Sequence, residues 1–217
     1  MRNHFDEQLE LLNSELIEMG ALCEKVIALS AAALTAGDAQ SARQVAPLDR
    51  KIDQMERSIE AICLKMLLQQ QPVARDLRQI SAALKMITDM ERIGDQAEDI
   101  AEIIPFLNGR TGAECRDIDR MAKATIQMVT DSIDAYVRKD TALAQTVLQS
   151  DDFVDDCFQK IKQSLIRMIA ENTADGEYAL DLLMIAKYFE RIGDHATNIA
   201  EWVQFSVTGV HKGETEL

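Results

Sequence analysis

The 217-residue chain carries 37 Asp and Glu against 23 Lys and Arg, a formal net charge of −14. Such a surface repels phosphate backbones and anionic lipid headgroups, which excludes nucleic-acid binding as a leading function and favours cations or basic protein surfaces as partners. Nine Gly, three Pro and 5% aromatic residues, with abundant Ala, Leu, Gln, Glu, Lys, Arg and Met, point to an all-α fold.

The first predicted helix places Phe5, Leu9, Leu12, Leu16, Met19, Cys23 and Val26 at alternating steps of four and three, the seam of a bundle helix. Gly37 ends it and Asp38 caps a second helix expected to run to about Gln71, where Pro72 breaks it. A third runs from about Val73 to Phe106, and Asn108, Gly109 and Gly112 mark a loop. A fourth helix is expected over about Ala113–Arg138, and a fifth capped by Asp140 extends to about Glu171. After the Asp175-Gly176 turn a sixth reaches about Val207. The polar tail after Gly209 is expected to fray.

The polar N-terminal heptapeptide has no apolar run of a secretory signal, and no stretch reads as the ~20 apolar residues of a membrane span. A cytoplasmic protein without direct membrane insertion is expected. Cys23, Cys63, Cys115 and Cys157 are far apart and form no C-x-x-C pair, which excludes zinc-ribbon and thioredoxin-like motifs; two disulfides stay open by count, but in a helical chain of this size reduced, mostly buried thiols are expected.

The strongest organising signal is an internal repeat. Glu91-Arg92-Ile93-Gly94-Asp95 recurs as Glu190-Arg191-Ile192-Gly193-Asp194, an offset of 99 that also matches Ile100-Ala101-Glu102 to Ile199-Ala200-Glu201. Earlier in each half the offset is 102: Met19 matches Met121, Asp38 matches Asp140, and Asp49 and Asp53 match Asp151 and Asp155. The chain therefore divides into two three-helix repeats, residues 1–108 and 109–217, which together give six long helices as two repeated three-helix bundles.

Each repeat carries acidic stripes. With Glu91 at zero and about 100° per residue, Asp95 lies near +40°, Glu98 near −20°, Asp99 near +80° and Glu102 near +20°. Glu190, Asp194, Asn198 and Glu201 form the matching oxygen-rich face. Arg92, about 100° from Glu91, is not expected to neutralise the whole stripe. Asp49 and Asp53, and likewise Asp151 and Asp155, lie one turn apart on the second helix of each repeat. D-x-x-x-D is thus poised to face E-x-x-x-D, an all-oxygen set that suits hard cations such as magnesium, calcium, manganese or iron. A single acidic stripe is usually a solvated face; recurrence on two helices in two repeats favours a site. Gly94 and Gly193, mid-helix at a cost of ~1 kcal/mol each, suggest close helix approach beside the acids.

Other chemistry has little seat. No E-x-x-H pair of a ferritin-type centre and no phosphate-binding loop occurs. His195 is read as an ordinary boundary histidine pointing off the acidic face. Arg75 and Arg78, after Pro72, form a basic helix start suited to a partner or to local ion pairs.

These motifs resemble the PhoU family over nearly the full chain. The carriers are Gln71-Pro72-Val73-Ala74-Arg75-Asp76-Leu77-Arg78, the two E-R-I-G-D pentamers, His195 and Asn198-Ile199-Ala200. The resemblance implies a homodimer or higher homo-oligomer of two three-helix bundles. It implies metal binding, with iron, manganese, magnesium or zinc as the expected divalent or trivalent ions. Mapped residue by residue, the metal positions are Asp49, Asp53, Glu91, Asp95 and Asp99, and Asp151, Asp155, Glu190, Asp194 and Asn198. Asp99 departs from the Asn more usual in the family. The implied role is non-enzymatic: negative regulation of phosphate uptake and starvation signalling, as an adaptor between the ATPase of the phosphate ABC transporter and a phosphate-sensing histidine kinase. An acidic metal-storage or buffering protein is the alternative the stripes alone permit.

Overall fold

The computed structural model describes residues 2–70 and 72–210; Gln71, His211 and the rest of the polar tail lie outside them. Among the described residues there is no strand. Six long helices, α1 (Arg2–Ala36), α3 (Ala46–Gln70), α4 (Ala74–Ile103), α5 (Ala113–Arg138), α6 (Thr141–Glu171) and α7 (Gly176–Thr208), are joined by a short α2 (Ala39–Ala42) and by 3-10 turns at Ile104–Leu107 and Thr173–Asp175.

The seam read along α1 is the buried one: Leu12, Leu16, Met19, Cys23 and Val26 are inaccessible to solvent. The caps are also where the spacing put them. Asp38 accepts from the Gln40 and Ser41 amides at 2.9 and 3.1 Å, and Asp140 accepts from Ala142 and Leu143, both at 3.0 Å. Cys23, Cys63 and Cys115 are buried and Cys157 is half-buried, all four as free thiols.

Two expectations need correction. The second helix is not continuous: α2 ends at Ala42 and α3 begins at Ala46. Pro47 has no N–H to continue the ladder, and the Leu48 and Asp49 amides instead bond Val45 O at 2.8 and 3.0 Å. Asp49 therefore sits in the first turn of α3, where the helix dipole favours an anion. In the second repeat Gln149 holds the place of Pro47, and α6 runs unbroken from Thr141, leaving Asp151 mid-helix. Secondly, α1 over Phe5–Ala36 does reach membrane-spanning length and hydropathy, averaging 1.4 over its best 18-residue window. Half of that window is buried inside the protein, because its apolar stripe packs against α3, α4 and α5.

Within the first repeat α1, α3 and α4 pack on one another, as α5, α6 and α7 do in the second. Between repeats two of the three equivalent pairs meet: α4 lies along α7, the most extensive pairing in the molecule, and α1 lies along α5. Equivalent helices contacting each other is the arrangement of a two-fold, isologous interface. Ser30 Oγ donates to Ala97 O (2.9 Å) and ties α1 to α4, and the buried Tyr136 hydroxyl donates to Gln79 O (3.0 Å) across the repeats.

The closest approach near the acids is at Gly94. A Cβ there would lie 2.5 Å from Asp49 Oδ1 and 3.1 Å from Ile52 Cδ1. At Gly193 the nearest atoms, Val154 Cγ1 and Asp151 Oδ1, stand at 3.3 and 3.6 Å. Gly94→Ala must displace the Asp49 carboxylate, whereas Gly193→Ala needs only a small shift of Val154. Overpacking costs ~1–3 kcal/mol and alanine returns up to ~1 kcal/mol of helix propensity. We expect urea unfolding to show Gly94→Ala less stable than Gly193→Ala by about 1 kcal/mol; equal midpoints would contradict the close approach.

Candidate metal centre

In the first repeat, α3 presents Asp49 and Asp53, and α4 presents Asp95. One carboxylate oxygen from each lies within 4.8 Å of the others. Asp49 is only 4% exposed, and its Oδ1 is buried with no hydrogen-bond partner. A buried oxygen so left costs desolvation free energy that nothing in the protein returns. Burial first, then the Glu98 carboxyl and the Asp53 and Asp95 charges, push Asp49 up to about 7. Glu91 is raised by burial and by Asp95, with Glu56 and Asp53 adding to it. Thus Glu56 and Glu98 belong with the cluster although the metal positions implied by the family motif omit them.

Arg92 does more than its angle suggested. Its long side chain reaches Glu91 at 3.4 Å and Asp95 at 2.8 Å. The guanidinium is more than half exposed, so solvent screens these pairs. Among the described residues no cation lies within ion-pair distance of Asp49, Asp53 or Glu98.

In the second repeat Asp151, Asp155, Glu190 and Asp194 again face one another across α6 and α7. Burial, then the Asp155, Asp194, Asp152 and Glu190 charges, push Asp151 up to about 6. Asp194 is raised by burial and Glu190, and Lys187 opposes the shift. Lys187 is ion-paired to Glu190.

Asp99 and Asn198 turn away from the centres of these clusters, although Asp99 still feels the Asp95 charge. They lie on the seam between α4 and α7. Asn198 Nδ2 donates to Asp89 Oδ1 at 3.1 Å, and His195 Nδ1 is 2.9 Å from the same oxygen. His195 is therefore a link between repeats rather than an isolated boundary residue. On the other side Asp99 faces the Tyr188 hydroxyl and Arg191. The pairs 89 with 198 and 188 with 99 exchange under the repeat. At the far end of the molecule Arg75 is exposed, while Arg78 is half-buried with its guanidinium about Gly209 at the end of α7.

A family model described as the PhoU domain matches this chain twice, over residues 16–104 and 118–203. The chain belongs to the PhoU family. A homologue from Clostridium acetobutylicum is 37% identical over 210 residues, 96% of each chain, and one from Pseudomonas aeruginosa is 35% identical over 98% of this chain and 90% of its own. Both are described as phosphate-specific transport system accessory proteins, PhoU homologues. The crystal structure of PhoU from Pseudomonas aeruginosa superposes with a TM-score of 0.90 at 35% identity, covering 95% of this chain and all of that one. The PhoU structure from Streptococcus pneumoniae, at 24% identity, 98% coverage of this chain and all of its own, has a TM-score of 0.87 and shows the shared fold.

The PhoU-family residues of the first cluster fit a hard cation: the donors are all carboxylates, they converge, and one of them is buried without a partner. The ion-free protein should report this through pH. Asp49 and Asp151 have folded values above the ordinary 3.8, so the folded state holds their protons more tightly than the unfolded chain does. That stabilisation is complete below about pH 4 and is lost as the pH climbs through 6 and 7. We expect the Tm of chelator-stripped protein to fall between about pH 4 and about pH 7, less steeply in Asp49→Asn, and to recover at the upper pH when Mn2+ is added. A Tm that does not fall over this window would remove the carboxylate crowding as a determinant of stability.

Proposed function

We propose that this protein is a negative regulator of phosphate uptake and phosphate-starvation signalling, working as a metal-loaded adaptor between the phosphate ABC transporter ATPase and a phosphate-sensing histidine kinase. The observation that carries this reading is the repeated PhoU domain, together with near full-length relatives that serve as accessory proteins of phosphate-specific transport. It acts by binding rather than catalysis. Regulation of that kind needs a surface with different affinities for two partner states.

Asp49, Asp53, Glu56, Glu91, Asp95 and Glu98 would hold the ion in the first repeat, and Asp151, Asp155, Glu190 and Asp194 in the second. A bound cation reverses the local field, so that an acidic surface or phosphate is no longer repelled. Exposed Arg75 offers a second, intrinsically positive contact. Arg78, packed on the end of α7, is better placed to hold that end of the bundle. Cytoplasmic location and assembly into homodimers or larger homo-oligomers belong to the same reading. The crowding around Asp49 also supports an alternative, an acidic metal store.

Deletion of the gene should leave phosphate-starvation genes switched on in phosphate-rich medium while phosphate import persists. The Glu91→Gln/Asp95→Asn variant should restore repression poorly, and Arg75→Glu should weaken it with the fold and metal content unchanged. Normal repression in the deletion strain, with a collapse of cellular metal buffering instead, would replace the adaptor by the store. Co-purification of the transporter ATPase and the kinase with tagged protein separates the two directly.

A further inference from the structure

The two acidic clusters differ at the positions where the repeats align. On α3, Glu56 points toward Thr88 of α4, and both belong to the margin of the first cluster. Their counterparts are Phe158 and Lys187. Lys187 is ion-paired to Glu190, and its ammonium lies 5.5 Å from the centre of the Phe158 ring. Glu98, which acts on Asp49, is replaced by Thr197, whose hydroxyl turns back to Asp194 O at 2.7 Å. The first cluster thus gathers six carboxylates with one exposed guanidinium at its rim. The second keeps four, with Asp152 at its exposed edge, and has an ammonium on the glutamate the ion would use. Only the first draws three ligand oxygens within 4.8 Å among the described residues.

We propose that Lys187 is a tethered cation that makes the two sites unequal: hard metal ions fill the Asp49 cluster first and enter the Asp151 cluster only by displacing the Lys187 ammonium. This rests on the metal-binding reading above. The cation–π contact with Phe158 holds the ammonium near Glu190 even while water reaches it. In the first cluster Arg92 bridges Glu91 and Asp95 from the solvent side, but among the described residues the buried Asp49 and its neighbour Asp53 have no cation beside them. The chain would then respond to metal in two steps, with Lys187 setting the separation between them.

The test is a Mn2+ titration of the chelator-stripped full chain, with free ion followed by electron paramagnetic resonance. Two classes of site are expected, about tenfold apart, an ammonium at a partly solvated carboxylate being worth roughly that much. Glu91→Gln/Asp95→Asn should abolish the tight class. Lys187→Met should tighten the weak class about tenfold and leave the tight class unmoved. Thr88→Lys, which places the same ammonium in the first repeat, should weaken the tight class; it gives an independent reading if Lys187→Met fails to fold by circular dichroism. Equal affinities in the parent protein, or a weak class indifferent to Lys187→Met, would overturn the proposal. No Mn2+ binding at all would overturn the metal reading itself, and this inference with it.

Discussion

Packing α3 against α4 at Gly94 puts the Asp49 carboxylate under protein, with one oxygen out of reach of any donor. Everything around the first cluster follows from that. A carboxylate in water is fully solvated, whereas here its neighbours are Asp53, Asp95 and Glu98, which add charge of the same sign. Only protons or cations relieve such crowding. The fold keeps it because the apolar seam behind it is continuous: Ile52, Met90, Ile93 and Ala97 are fully buried on either side of the acids. Hydrophobic burial holds the backbone in place, and the carboxylates have no freedom to separate by more than a side-chain rotation.

The seam between α4 and α7 ties the two halves at the residues next to these clusters. Asp89 is two positions before Glu91, and it takes contacts from His195 and Asn198, which follow Asp194. Across the repeat, Tyr188 and Arg191 flank Glu190 and face Asp99. A displacement of either acidic stripe along its helix would therefore strain contacts that belong to the other repeat.

Much of this was legible in the sequence, because the six-helix plan rests on local signals: heptad steps, Asp caps, Gly stops and a duplicated pentamer. What escaped was tertiary or depended on a single residue. Pro47 breaks the second helix, yet Ala46 and Leu48 on either side continue the helical pattern and conceal the break. The wheel angles put Glu98 at the centre of the stripe, about −20°, and Asp99 at its edge, near +80°, yet the family motif selects Asp99. Which neighbour faces that edge is set by α7, which no reading of α4 alone contains. The same holds for His195. The wheel angle of Arg92 understates its reach, because a long side chain reaches around about a quarter of a helix. Glu56 follows Asp53 by three residues and so continues the α3 stripe in the sequence itself.

The pairing of α4 with α7 and α1 with α5 is the geometry that two separate copies of one three-helix unit would adopt as a dimer. In such a dimer each substitution is made twice, so a lysine beside one acidic stripe would appear beside both. Fusion into one chain lifts that rule. Pro47 without a counterpart, Glu56 facing Phe158 in alignment, and Thr88 facing Lys187 are differences that only a covalent pair is free to accumulate. The fused chain keeps the shape of a symmetric object while its two halves are free to take on separate tasks.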